Sequence, residues 1–281
     1  MYHSLGKEFR LKRLVHRETN STVICALDHG MTSPKFLSGL VDMKAKVREA
    51  QQGGANVFML SKGFARIVVD EFNRDTSFAM VLSASAAGCP RPNIVVQIAQ
   101  VEEALRLGAD AVVVYVALTG ENEPAMIRFL GEVGRECERL GMPLIAEAEY
   151  PSAYASPDAM EKGYGYEYLL RNARLCAELG ADIVKTNWPG SGELFARIVE
   201  AVPVPVVLAG GPVISDRELL ERMEQAMQGG AIGCSVGRNI FQHQNPFAIT
   251  RALSRVIHEH WSAEKALEEL EETLAEREME S

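Results

Sequence analysis

The feature that most constrains this chain is an eightfold alternation of short apolar runs with longer segments of helical periodicity. The runs are "TVICALD" from Thr22, "NVFMLS" from Asn56, "FAMVLS" from Phe78, "ADAVVVYV" from Ala109, "PLIAEAEY" from Pro143, "DIVKT" from Asp182, "PVVLAGG" from Pro205 and "AIGCSVG" from Ala231. Their hydrophobicity is continuous, so each predicted strand is covered on both faces, as parallel strands between helices are. Between them lie helix candidates such as "VDMKAKVREAQQGG", "EPAMIRFLGEVGRECERLGM" and "DRELLERMEQAMQGGA". The junctions Gly53-Gly54-Ala55, Gly108-Ala109-Asp110, Gly180-Ala181-Asp182 and Gly229-Gly230-Ala231 have the form of glycine caps that end a helix before a buried strand.

Eight such units in 281 residues, with no Pro/Gly/Ser-rich linker between them, predict a single-domain (β/α)8 TIM barrel. The repeat leaves a basic arm over about residues 1–20 and a charged helix over about 262–280. The Ala/Leu stripe of the latter predicts packing on the barrel or on a neighbouring subunit.

Composition narrows the function classes. A net charge of −9 argues against a general nucleic-acid binder, and "KEFRLKRLVHR" reads as a solvated arm or a packing helix. The longest apolar run, "ADAVVVYVAL", is far short of the ~20 residues that cross a bilayer, and the first residues carry no apolar signal core, so a cytoplasmic protein without a membrane partner is expected. The five cysteines are scattered singly, as reduced thiols are; Cys25, Cys137, Cys176 and Cys234 read as core residues and Cys89 as the exposed one.

In a barrel of this kind, chemistry sits at the C-terminal ends of the strands. Lys185 ends the sixth run, directly after Ile183-Val184. Burial there lowers an ammonium's pKa, and a neutral amine can attack a ketone to form a Schiff base. The structural alternatives are an ion pair with Asp182 or Asp28, or a side chain reaching out to water. Asp28, after "VICAL", and Tyr150, after "PLIAEAE", are the candidates for proton transfer. Tyr150 shares parity with Leu144, Ala146 and Ala148, which favours its facing the barrel centre; a single bulge puts Glu149 there instead.

The loops after the seventh and eighth runs, "AGGPVISD" and "SVGRNIFQHQNP", occupy the positions where barrels bind phosphate. Gly210, Gly211 and Gly237 would admit the anion to backbone N–H groups, and Arg238 would add charge. No metal site is expected, because only His29 among the histidines lies at a strand end, and no cofactor motif is present.

The segments "ALDHG", "ADIVKT", "VPVVLAGGP" and "GGAIGCSVGRNIFQHQNP" together resemble the archaeal-type class I fructose-bisphosphate aldolase family, which includes the 2-amino-3,7-dideoxy-D-threo-hept-6-ulosonate synthases. The resemblance implies that Lys185 is the Schiff-base lysine and Asp28 a proton-transfer group. It makes Gly210, Gly211, Gly237 and Arg238 the phosphate cradle, and implies a homo-oligomer, commonly a decamer in that family. It departs at the fifth run, where "YPSA" replaces the common "YPRG" and the spacing to Tyr150 is one residue longer. A second phosphate site is thereby in question, and the proton-transfer role stays open between Tyr150 and Glu149.

The tyrosine-rich "SAYASPDAMEKGYGYEY" reads as an enlarged loop over the mouth, and Trp188 as a pocket-lining side chain. The reaction expected first is cleavage of fructose 1,6-bisphosphate to dihydroxyacetone phosphate and glyceraldehyde 3-phosphate. The alternatives are transaldol transfer of the hept-6-ulosonate type and a non-catalytic phosphosugar-binding protein.

Overall fold

Each of the eight apolar runs contains one strand of a closed barrel in the computed structural model, which describes residues 4–85, 94–118, 120–151 and 164–280. In chain order the strands are β1 (Thr22–Ala26), β2 (Val57–Leu60), β3 (Ser77–Val81), the short pair β4 (Ser83–Ser85) and β5 (Val95–Gln97), β6 (Ala111–Val116), β7 (Leu144–Ala148), β8 (Ile183–Thr186), β9 (Val206–Ala209) and β10 (Gly233–Val236). The barrel runs β1-β10-β9-β8-β7-β6-β3-β2, every pair parallel, while β4 and β5 pair antiparallel outside it. The helices are α1 (Leu5–Arg13), α2 (Met43–Gln52), α3 (Lys62–Val68), α4 (Val101–Arg106), α5 (Glu123–Leu140), α6 (Gly165–Glu178), α7 (Gly192–Ala201), α8 (Asp216–Gln228), α9 (Arg238–Phe241), α10 (Pro246–Glu259) and α11 (Ala263–Glu280).

The continuous hydrophobicity of the strands has a direct cause, because alternate residues enter two different cores. Ile24, Ala26, Met59, Val81, Val113, Ile145, Ile183 and Val207 fill the lumen. Val23, Cys25, Phe58, Met80, Val112, Leu144, Ala146, Ala148 and Val184 face the helices. The helix-to-strand junctions turn as expected: Gly54 and Gly180 have φ of 108° and 99°, which a Cβ would make costly. Cys25, Cys137, Cys176 and Cys234 are buried free thiols in the helix-side core, whereas Cys89 and most of the tyrosine-rich loop lie outside the described residues.

The basic arm is a packing helix. The α1 N-cap Ser4 accepts a hydrogen bond from the Lys7 backbone N–H, and the helix lies across the N-terminal end of the barrel. Lys7 is buried between Glu138 and Asp182, at 3.0 Å from each; Arg10 donates to the Gly141 carbonyl and Arg13 pairs with Asp110. Leu14, fully buried, joins the lumen core, a burial that contributes about 2 kcal/mol. Its carbonyl accepts from Asn56, so this end of the barrel is plugged. At the chain's other end, α11 buries Ala263, Ala266, Leu267 and Leu270, and Glu269 pairs with Arg251 and Arg255 of α10. Among the described residues, no helix is long and apolar enough to cross a membrane.

Candidate active site

With one end plugged, the polar side chains of the lumen gather at the other. Lys185 stands beside Glu147 across the β7–β8 ladder, and Tyr115 of β6 and Val207 of β9 continue the same row. Val207 belongs to the lumen core, so the whole row points inward. The Lys185 Nζ lies 2.5 Å from Glu147 Oε1 and 2.9 Å from Glu149 Oε1, and all three side chains are nearly inaccessible to water. Asp28 follows the lumen residue Ala26 by two positions and is buried as well. Although it precedes a 3-10 turn, its carboxylate does not cap it.

One ammonium therefore faces three carboxylates, and this changes its expected protonation state. Burial works to lower the pKa of Lys185, but Glu147, Glu149 and Asp28 together outweigh it and hold the side chain as an ammonium above its ordinary range. The neutral amine expected from burial alone is thus not the resting state: Lys185 is ion-paired, as the alternative reading had it, but with Glu147 and Glu149, while Asp182 pairs with Lys7. The surplus negative charge appears on the acids instead. Glu147 is pushed up to about 8 by burial, against the attraction of Lys185 and with repulsion from Glu149 and Asp28. Asp28 is raised too, by burial first, with Lys185 opposing.

Tyr150 does not face the barrel centre as its parity suggested. It belongs to the helix-side core and stacks on Tyr168 of α6, with ring centroids 6.1 Å apart. The parity argument failed because Leu144, Ala146 and Ala148 are core residues of the outer layer, so sharing their parity means facing outward. Glu147 and Glu149 take the lumen. A tight turn closes between them, the Glu149 N–H donating to the Glu147 carbonyl at 2.9 Å. The end of β7 is held by its neighbours: Tyr115 Oη donates to the Tyr150 carbonyl at 2.9 Å, and the Tyr150 N–H donates to Asn187 Oδ1 at 2.7 Å. Trp188 is also turned away from the lumen, stacked on Phe195 of α7 with Arg222 of α8 over its ring.

The two glycine loops come together. Asn239 of α9 donates through Nδ2 to the carbonyls of Gly210 and Pro212, both at 3.0 Å, and its Oδ1 accepts from the Ile214 N–H. This buried amide clamps the loop after β9 to the turn after β10. Gly211 has φ of 63° and open space where a side chain would project. Gly237 is required for a different reason: a Cβ there would run into the His29 ring and come 2.5 Å from the Ala26 carbonyl oxygen. His29 is wedged against Phe241 and held neutral, pushed down to about 3 by burial and by the charges of Arg238 and Lys185. Ser235, buried and in register with the lumen residue Ile24, turns its hydroxyl inward with no hydrogen-bond partner among the described groups.

Asp28, Lys185, Gly210, Gly211, Gly237 and Arg238 are thus assembled at one end of the barrel. Glu147 belongs there too and was missed from the sequence; Ser235 and Asn239 end the eighth run, where polar residues of the site are expected, and the structure gives them their places. Glu147 carried a signal: a carboxylate in mid-strand is costly against an apolar helix layer, so its parity marks the lumen.

Fold and site together define a (β/α)8 enzyme of the Schiff-base aldolase class. The chain belongs to the DeoC/LacD aldolase family, whose sequence profile matches residues 22–243. It is 36% identical over 262 residues to a 2-amino-3,7-dideoxy-D-threo-hept-6-ulosonate synthase of Halobacterium salinarum, covering 93% of this chain and 95% of that protein. It is 37% identical over 254 residues to a 2-amino-4,5-dihydroxy-6-oxo-7-(phosphonooxy)heptanoate synthase of Streptomyces griseus, covering 90% of each. An archaeal fructose-1,6-bisphosphate aldolase, solved with its catalytic lysine bound to a carbinolamine intermediate, superposes with a TM-score of 0.76 at 24% identity over 90% of this chain and 99% of that one; the likeness is one of fold.

Proposed function

We propose that Lys185 forms a Schiff base with a phosphorylated ketone and that the enzyme then joins it to, or releases it from, an aldehyde carrying an amino group. The observation that carries the Schiff base is the lysine itself, inside the lumen beside the clamped glycine loops. Gly210, Gly211, Gly237 and Arg238 hold the ketone's phosphate, the iminium draws electrons from the adjacent carbon–carbon bond, and Asp28 and Glu149 move the substrate protons.

The aldehyde follows from charge and from the relatives. Glu149 borders the lysine on the mouth side, where a second phosphate would be repelled, and the arginine of "YPRG" is replaced in "YPSA". The product named for the Streptomyces relative carries its ketone at C6, a hydroxyl at C4 and phosphate at C7. An aldol cut between C4 and C5 of that compound yields dihydroxyacetone phosphate and 2-amino-4-oxobutanoate. An amino aldehyde of this kind suits a carboxylate-rich mouth better than glyceraldehyde 3-phosphate does.

The test is borohydride reduction with dihydroxyacetone phosphate, which should add the reduced ligand's mass to the Lys185 peptide. An unlabelled peptide removes the Schiff base. Condensation with 2-amino-4-oxobutanoate should then exceed cleavage of fructose 1,6-bisphosphate in kcat/KM; the reverse order restores the bisphosphate as substrate. We further propose a cytoplasmic homo-oligomer, to be checked by light scattering of the purified protein.

A further inference from the structure

We propose that the Ser235 hydroxyl binds the phosphorylated ketone, donating a hydrogen bond to the ester oxygen that joins the ketone's carbon chain to its phosphate. The inference rests on the reading of Lys185 and the glycine loops as a site for such a ketone, and adds a residue that holds the ligand between them.

This hydroxyl differs from the other buried hydroxyls on the strands. Ser77 Oγ donates to the Arg13 carbonyl at 2.8 Å, Thr186 Oγ1 to the Ala148 carbonyl at 3.0 Å and Thr22 Oγ1 to Asn56 Oδ1 at 3.3 Å. Ser83 Oγ accepts from the Tyr115 N–H at 2.9 Å. Ser235 is 1% exposed, and its Oγ has no partner among the described residues. Its neighbours in register, Ile24 and Ala209, bring no polar side-chain atom. A buried hydroxyl without a partner destabilises a fold, and alanine would occupy the same place without that cost. The barrel therefore has no use for this hydroxyl, whereas a ligand that accepts a hydrogen bond from it does.

Its position identifies the ligand atom. Lys185 is in register with Val207 of β9, and Ser235 with Ala209, two residues nearer the mouth. Gly237, in the phosphate cradle, lies two residues beyond Ser235, each such step being about 7 Å along a strand. The Ser235 carbonyl accepts from the Gly210 N–H at 3.1 Å, so the residue stands where the two glycine loops meet. Its hydroxyl thus lies on the lumen wall between the level of the lysine and that of the cradle. A ligand that reaches Lys185, one layer deeper, passes this level on its way. A ketone joined to Nζ through its carbonyl carbon, with its phosphate against Gly211 and Gly237, spans the same wall with one carbon and the ester oxygen. Of those two atoms only the oxygen accepts a hydrogen bond.

The experiment measures by calorimetry the binding of dihydroxyacetone phosphate and of its phosphonate isostere, in which a methylene replaces the ester oxygen, to wild type and Ser235→Ala. Thermal melts are recorded for both proteins. The ratio of ester to phosphonate affinity should fall roughly tenfold from wild type to Ser235→Ala, a comparison in which the intrinsic difference between the two ligands cancels. The phosphonate should bind both proteins alike, and Ser235→Ala should melt at or above the wild-type temperature. Equal ester affinity in the two proteins, or an equal loss for both ligands, overturns the assignment. A Ser235→Ala protein that melts lower or fails to fold overturns it too, since the hydroxyl then serves the fold. Borohydride labelling of Lys185 tests the Schiff-base reading separately, and wild type that binds neither compound overturns both.

Discussion

Two buried lysines hold the two ends of this barrel, and they differ in what surrounds them. Lys7 at the plugged end is 2% exposed and touches Glu138 and Asp182; Lys185 at the open end is 6% exposed and touches Glu147 and Glu149. Both stay above the ordinary lysine range, since in each case burial is outweighed by carboxylates. Yet the Glu138 side chain is 55% exposed, so its surplus charge is solvated. At Lys185 Glu147 is itself buried, Glu149 is largely enclosed and Asp28 adds a third, buried carboxylate, so a proton is favoured among them. A buried lysine is therefore not by itself a mark of catalysis. Its distinguishing feature here is an excess of buried acid.

The sharpest way to break this contrast is to remove each amine in turn. Lys185→Met should lower turnover by at least about 10⁴-fold and abolish borohydride labelling. Lys7→Met should leave labelling intact and cost roughly 2 kcal/mol of stability in denaturant titration, less than a fully buried pair because water screens Glu138. Equal loss of activity in both variants would end the distinction.

Next in size is the anion cradle at the open end. Asn239→Ala removes three hydrogen bonds that join its two loops, and KM for the phosphorylated ketone should rise roughly tenfold or more with a smaller change in kcat. An unchanged KM would mean that the clamp does not shape the phosphate site. Gly237→Ala should destabilise by about 1–3 kcal/mol in thermal melts, because the added methyl meets the His29 ring and the Ala26 carbonyl.

The smallest effect compares the ends by pH. His29 at the open end and His258 near the plugged end are half-buried and pushed down, to about 3 and about 4. A histidine whose folded pKa is depressed contributes stability that is present above its unfolded value of 6.5 and lost as pH falls toward the folded one. The melting temperature should therefore drop between pH 6.5 and 4, and His258→Asn, at a position whose Nδ1 lies within hydrogen-bond distance of the Ser21 and Thr19 hydroxyls, should make that drop shallower. A melting temperature flat over that range contradicts the neutral state of both rings.

Tyr150 was hard to place from the sequence because one alternation serves two cores. On β7 every second residue is apolar, and both faces are dry, so hydrophobicity alone does not say which set lines the lumen. That pattern favoured Tyr150 inward with Glu149 as the alternative, and it is Glu149 that meets the lysine while Tyr150 lies outward; Trp188, in the loop after β8 and read as pocket-lining, packs on Phe195. Asp28 and Lys185 escaped the ambiguity because each ends its run, where a barrel opens to its site.

What the sequence determined by itself was the barrel: eight apolar runs, helical periods between them and glycines at the turns are local requirements, each met within a few residues. It also placed a lysine and an aspartate at strand ends, because position along a strand is a one-dimensional fact. The tertiary structure alone decided that Glu147 and Glu149 share the lysine's charge and that Asn239 clamps the loops. Protonation and loop geometry depend on distances between strands far apart in the chain, and Coulomb and hydrogen-bond energies act through those distances and not through spacing in the sequence.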